Sequence, residues 1–394
     1  MATSGIQTDA MNFAVIGCGA LARGQHIPNI SRSDRAVLHT CCDVSQDTLA
    51  ECRDQFQPRV LSCDYEEVIA DPDVEVIVLA TNETLRLPVI QACAEAGKPV
   101  YVEKPLAGTL DELREIQRVV RGAGILLCVG HNRRCAPAMI DAWQIFRRHM
   151  SAPEHCPWRF DREGPHNRPR LPDDGAATMS VRINDDWHSW KGWVFDKAEM
   201  PHGPMIFEMT HFTDLCNWFL DAEPVQVVAL ESGMLNHGVV IRYEHGEIAT
   251  ITMGANGTFG YPKELYEIFG SGAVVVVDHM LEVRTAGIAG APDRLMYDML
   301  TDRHPHVGEE GGLAGWLEKK RTACREATEQ SDPELIFTAE ADKGHARALE
   351  AFMDQIHGAR TELCGLDGAV LATRVALAAV HSAETGRVVD LHEI

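Results

Sequence analysis

Between residues 12 and 131 the chain alternates two hydrophobic patterns. Strand-like runs of largely apolar character occur at 13–16, 36–43, 74–81, 99–104 and 125–131. Between them, 47–56, 87–97 and 109–124 repeat apolar residues three and four apart, and Gly97 stands where a helix C-cap is expected. Apolar strands separated by amphipathic helices predict a parallel sheet covered by helices on both faces.

Beyond residue 137 the pattern changes. Residues 137–150 predict a helix, 151–175 a loop rich in Pro, Asp and Arg, and 202–221 a largely apolar helix. Strand-like runs then follow one another across short Gly turns at 225–232, 238–246, 247–255, 264–272, 273–279 and 281–286, which predicts an antiparallel or mixed sheet. Residues 285–335 look like an irregular insertion around a charged helix, and two apolar helices, 345–358 and 367–386, close the chain. The expected organisation is a loose extension over 1–10, an α/β domain over 11–137 and a second domain over 138–394 that includes the 285–335 insertion.

The first strand runs into a turn with Gly17, Gly19 and Ala22, a G-x-G-x-x-A pattern. The first glycine permits a tight turn, the second lets backbone amides approach a pyrophosphate, and a small third residue lets helix and strand pack closely. The helix that begins there, with Ala20 and Leu21 in its opening turn, offers unpaired N–H groups to phosphate. Asp43 ends the second strand, where a carboxylate can accept hydrogen bonds from a ribose diol and repel a 2′-phosphate. The segment is therefore expected to be a doubly wound Rossmann domain that binds NAD in preference to NADP.

Composition narrows the partners. A net charge of -22 over 394 residues argues against a nucleic-acid-binding surface. Uninterrupted apolar runs stay short of 18 residues and the first ten residues lack a signal-peptide pattern, so no membrane association is expected. The twelve cysteines contain no C-x-x-C spacing, and Cys18, Cys42, Cys93 and Cys128 sit in apolar segments. That usage fits buried thiols in a reducing compartment, with no metal site and a cytoplasmic location expected.

Other candidates emerge from local chemistry. The strand at 100–102 ends in Glu103-Lys104-Pro105, which aims a charged pair at the sheet edge where open α/β folds bind ligands. In the 202–221 helix, Glu208, His211 and Asp214 share a face, so His211 can serve as a base with a carboxylate neighbour. Asp186, Trp187, His188 and Trp190 offer aromatic faces with polar neighbours, a combination suited to a sugar ring.

The glycine turn, "VEKPLAG", "GHNRRCAP", "EMTHFTDLCNW", and "KGHARALEAF" through "SAETGRVVDL" occur in one order. Together they resemble the Gfo/Idh/MocA oxidoreductase family, from about residue 12 to the C-terminus. The resemblance implies a Rossmann domain followed by a C-terminal α/β domain with an open, mostly antiparallel sheet that often serves subunit contact, hence a homodimer or homotetramer. It implies a small sugar, polyol or cyclitol substrate held between the domains, and a Lys104–Pro105 bond that is commonly cis. By this resemblance Lys104 reaches the reacting hydroxyl, and His211 is the catalytic base with Glu208 or Asp214 as its partner. Asn132 and Arg133 would face substrate, while Glu103, Thr81, Asn82 and Arg134 would line the cofactor. Two departures stand out in "ATNETLRLP": Asn82 replaces a common Pro, and Arg86 replaces a common His and adds a charge. The activity implied is NAD-dependent oxidation of a secondary hydroxyl. The alternatives are a redox-neutral glycosidase or lyase that retains its NAD, and a non-catalytic NAD-binding regulator.

Overall fold

In a computed structural model of the chain, residues 10–151, 176–189, 202–232, 234–300, 308–309, 312–332, 335–336 and 340–394 are described. The expected loop over 151–175 and candidate residue Trp190 fall largely or wholly outside them, as does nearly all of the 1–10 extension.

The described residues form two units. The first runs up to His131 and includes His345–Ala369; the second comprises Asn132–Gly344 and Val370–Ile394. The division is thus not the single boundary near 137 that the sequence suggests. The 345–369 segment joins the first unit because its helix packs back on the helix that follows the glycine turn, where Arg35 pairs with Glu350 at 3.0 Å and with Asp354 at 2.8 Å.

In the first unit β1 (Met11–Ile16) leads through a π-helical turn, Ala22–His26, into α1 (Ile27–Arg32). Next come β2 (Ala36–Cys42), α2 (Gln46–Phe56), β3 (Val60–Ser62), α3 (Tyr65–Ala70) and β4 (Val76–Leu79). Then follow α4 (Arg86–Ala96), β5 (Val100–Val102), α5 (Leu110–Ala123) and β6 (Leu127–Val129). Ser45 and Thr109 cap α2 and α5 by accepting from the Thr48 and Glu112 amides, and Gly97 and Gly124 close α4 and α5 in left-handed conformation. Among the described residues the sheet has six parallel strands in the order β3-β2-β1-β4-β5-β6. This doubly wound order reverses between β1 and β4, and ligands of such sheets bind at that reversal, beyond the strand C-termini. Strands β4, β5 and β6 are buried throughout, which explains why the sequence shows apolar runs there without alternation.

The second unit adds α6 (Pro137–Ser151), β7 (Thr178–Asn184), α7 (Gly203–Leu220), β8 (Pro224–Ser232), β9 (Asn236–Tyr243) and β10 (Ile248–Gly254). After β11 (Glu264–Gly270), β12 (Ala273–Asp278) and β13 (Glu282–Ala286) come β14 (Arg294–Met296), β15 (Met299–Leu300), β16 (Gly308–Glu309) and α8 (Gly312–Gln330). The chain continues through β17 (Glu340–Ala341), α9 (His345–Ile356, in the first unit), α10 (Leu366–Thr385) and β18 (Val389–Asp390). Among the described residues, nine strands pair in the order β14-β13-β12-β11-β7-β10-β9-β8-β18; each pair is antiparallel except β7 with β10. One face is covered. In β9, His237, Val239, Ile241 and Tyr243 are buried while the residues between them are exposed, and Tyr243 donates to Asn217 of α7 at 2.9 Å. The 285–335 insertion is partly ordinary structure, since β14 extends the large sheet. Of the described helices, α10 is long and apolar enough to cross a membrane by length and composition, and 56% of its apolar window is buried inside the fold.

Candidate functional site

At the C-terminal edge of the parallel sheet, Gly17 adopts φ +88°, and a Cβ there would lie 2.8 Å from the Ala80 carbonyl and the Thr81 nitrogen. Only glycine lets β1 exit this close to the end of β4. A Cβ on Gly19 would meet nothing within 4 Å, so this side of the turn is open to an approaching group. The chain is helical from Ala20, with Leu21 exposed and Ala22 buried. Asp43 closes the turn from β2: Oδ2 accepts from the Cys18 amide at 2.8 Å and Oδ1 from the Ser45 amide at 2.9 Å. A cramped first glycine, an open second one and a carboxylate at the tip of β2 fit a dinucleotide.

Beyond β5, Glu103 and Lys104 are 6% and 8% exposed. Glu103 Oε1 meets His26 Nε2 at 2.9 Å, and Oε2 accepts from the Lys104 amide at 3.2 Å. Burial would raise this carboxyl's pKa, but the His26 hydrogen bond and charge, followed by Lys104 and His345, outweigh it and hold the value at about 2. The carboxylate has room only because residue 130 is glycine, where a Cβ would lie 2.6 Å from Oε1. His26 also packs edge-on against Tyr101 at 5.6 Å. Neither His26 nor Gly130 stands out in the sequence. Their partner, Glu103, lies far from each of them along the chain.

The Lys104–Pro105 bond is cis. Arg86 stands behind it, donating from Nη2 to the Lys104 carbonyl at 3.0 Å and to the Thr81 carbonyl at 3.3 Å. Arg86 is 3% exposed, and burial lowers its pKa to about 10 against the opposing charge of Glu83. Its charge therefore faces inward and ties the loop after β4 to the loop after β5. Asn82 is exposed and accepts from Thr84 at 2.9 Å, while Thr81 donates to the Asn82 carbonyl at 3.1 Å.

In the second unit, α7 carries Glu208, His211 and Asp214 as expected, with His211 5% and Asp214 0% exposed. Asp214 accepts a bidentate pair from Arg134, at 2.8 and 2.7 Å. Arg133 makes a second bidentate pair with Glu264 of β11, at 2.9 and 2.7 Å, and lies 5.3 Å from the Phe212 ring. Asn132 donates to the Lys343 carbonyl at 2.7 Å. The "NRR" side chains thus bind their own unit together.

Lys263 lies 2.6 Å from Asp185 and 4.0 Å from Glu208. Burial alone would lower the pKa of this ammonium, but Asp185, Glu208 and Glu264 raise it. Sequence reading misses this group because Lys263 and Asp185 sit at unremarkable turn positions. Nearby, Asp186 Oδ1 accepts from His188 Nδ1 at 2.9 Å, and the Trp187 and His188 rings stack at 4.2 Å.

Residues 11–131 match the profile of the GFO_IDH_MocA oxidoreductase family, described as an NAD-binding Rossmann fold. Residues 11–131 thus carry the NAD-binding Rossmann domain of the Gfo/Idh/MocA oxidoreductases. The chain's similarity to this family extends past the Rossmann unit. The uncharacterised oxidoreductase YrbE of Bacillus subtilis is 26% identical over 278 residues, covering 69% of this chain and 76% of its own. Myo-inositol 2-dehydrogenase of Thermotoga maritima is 24% identical over 274 residues, with the same two coverages. A solved levoglucosan dehydrogenase, in complex with NADH and levoglucosan, shares the fold with a TM-score of 0.73 at 18% identity, over 97% of this chain and 100% of that one.

Proposed function

We propose that this protein is an NAD-dependent dehydrogenase that oxidises a secondary hydroxyl of a sugar, glycoside or cyclitol in the cytoplasm. The observation that carries the reading is the His26–Glu103–Lys104 arrangement, which fixes a buried lysine at the ligand-binding edge of a Rossmann sheet. NAD, when bound, supplies the hydride acceptor. The turn 17–22 would hold its pyrophosphate, Asp43 its adenosine ribose, and Thr81 and Asn82 its nicotinamide side. Lys104, as an ammonium, would lower the pKa of the substrate hydroxyl and stabilise the developing alkoxide. His211 takes the proton in this reading, and the sugar-facing role falls to Asp186, Trp187, His188 and Trp190. The names of the similar proteins support the substrate class, since one acts on myo-inositol and another binds levoglucosan.

The test is a panel of sugars, glycosides and inositols incubated with purified protein and NAD. Net NADH formation with one member is the expected result. Substrate conversion without net NADH would replace the dehydrogenase with the redox-neutral lyase or glycosidase, and NAD binding without any conversion would point to a regulator.

Cofactor choice rests on Asp43. Asp43→Asn keeps an acceptor for the Cys18 amide and removes the charge that would face a 2′-phosphate. It should shift the ratio of NADP to NAD affinity toward NADP by about tenfold. Calorimetric titration with both cofactors checks this, and an unchanged ratio would remove Asp43 from the discrimination.

Self-association is proposed through the open face of the nine-stranded sheet. Leu230 is 73% exposed there, with Val240, Ile248 and Phe269 also exposed on that face. Light scattering should return a dimer or tetramer, and Leu230→Glu should shift it toward monomer.

A further inference from the structure

Beneath the dinucleotide turn the fold gathers three cysteines that the sequence keeps apart. Cys18 lies between the two turn glycines, Cys41 in β2 and Cys52 on α2. All are fully buried free thiols, and their sulfurs lie within 4.8 Å of one another. Their spacing in sequence suggests no clustered ligands; the parallel pairing of β1 with β2 and the return of α2 bring them together. Three sulfurs bonded to one centre at about 2.3 Å stand roughly 3.5–4 Å apart, depending on whether it is pyramidal or planar, so modest side-chain movements would close such a site.

We propose that Cys18, Cys41 and Cys52 form a binding site for a trivalent thiophile of the arsenite class, and that its occupation opposes dinucleotide binding.

Charge selects the ligand. All three thiols are cut off from water, and burial in an apolar interior favours the neutral form of a thiol. A zinc ion on three thiolates would leave one net negative charge in the interior, and a cuprous ion two. An arsenic(III) trithiolate is neutral, which avoids burying an unpaired charge. The reaction balances without an oxidant. Three As–O bonds of arsenous acid break, three As–S bonds form, each thiol proton leaves with a hydroxide as water, and arsenic stays trivalent. Entry to the buried site requires transient local opening.

The coupling follows from Cys18. Its amide donates to Asp43 at 2.8 Å, and its thiol contacts the Val15 and Cys42 carbonyls at 3.7 and 3.6 Å. Drawing its sulfur toward Cys41 and Cys52 moves the turn and its Asp43 contact. Linkage then requires that NAD weaken arsenite binding by the same factor.

The full-length protein, kept reduced with a phosphine and free of dithiols, is titrated with arsenite. Intact mass should show one arsenic per chain replacing three protons, and digestion should recover it bridging the peptides of Cys18, Cys41 and Cys52. The loaded chain should bind NAD about tenfold more weakly by calorimetry. Cys52→Ser, checked for folding by circular dichroism, should lose arsenite affinity by at least about tenfold while binding NAD normally. No uptake by the folded wild-type chain, or arsenic bridging other cysteines, overturns the site. An unchanged NAD affinity in the loaded chain overturns the coupling. The wild-type peptide map decides the site even if the variant does not fold.

Discussion

Lys104→Ala should lower turnover by roughly 10²–10⁴-fold while changing the NAD dissociation constant by no more than a few-fold. The first figure is the range ordinarily lost with a proton-transfer group or a preorganised charge at an active site. The second follows from where the turn gets its shape: Gly17 against Ala80 and Thr81, and Asp43 on the Cys18 amide, both independent of the Lys104 side chain. Lys104→Arg keeps a cation but changes its reach and geometry, so it should recover only part of the loss. His26→Ala is the complementary variant. It leaves Lys104 in place but takes away the first of the groups that keep Glu103 ionised, so it should lower turnover less than Lys104→Ala. Steady-state rates on the substrate found in the panel, with NAD affinity measured alongside, decide the matter. Near-wild-type turnover in Lys104→Ala would remove the lysine from the chemistry.

Local pattern carries much of this structure. Five of the six parallel strands are legible because burial writes a largely apolar run; β3, which is largely exposed, is the one that is not. The glycine turn and Glu103-Lys104-Pro105 are legible because their chemistry is contiguous. Features whose meaning depends on distant partners stay hidden. Nothing local to Gly130 says that Glu103 occupies the space of its missing side chain. Arg86 reads as an added charge, and only the fold shows it turned inward onto two backbone carbonyls. Arg133 and Arg134 read as facing substrate and cofactor, and nothing local says that each is matched to its own carboxylate, Glu264 on a strand and Asp214 on a helix. Three cysteines in separate elements become one cluster for the same reason.

Glu264→Ala should destabilise the second unit by about 3–5 kcal/mol, because it strands the buried Arg133 guanidinium without its counter-charge. Tyr266 loses an acceptor at the same time. The expected fall in Tm is roughly 5–10 °C. Replacing both partners with apolar residues of similar size, Arg133→Met with Glu264→Leu, should recover most of it, since the attraction inside the pair mainly repays its desolvation. A single Glu264→Ala variant as stable as the parent would show that water reaches the site. Acid should act through the same chemistry. Burial raises the Glu264 carboxyl, but Arg133 overrides it and holds the pKa below the usual carboxylate range. The unfolded chain therefore takes up this proton first, and the stability present above the ordinary value near 4.5 is lost as pH falls below it. His279 begins earlier: burial lowers its pKa from 6.5 to about 3, so acid favours the unfolded state from near pH 6.5 downward. Urea midpoints measured between about pH 7 and 4 should decline steadily. His279→Gln should flatten the upper part of that decline while leaving the part near pH 4.5, where Glu264 is titrated, in place.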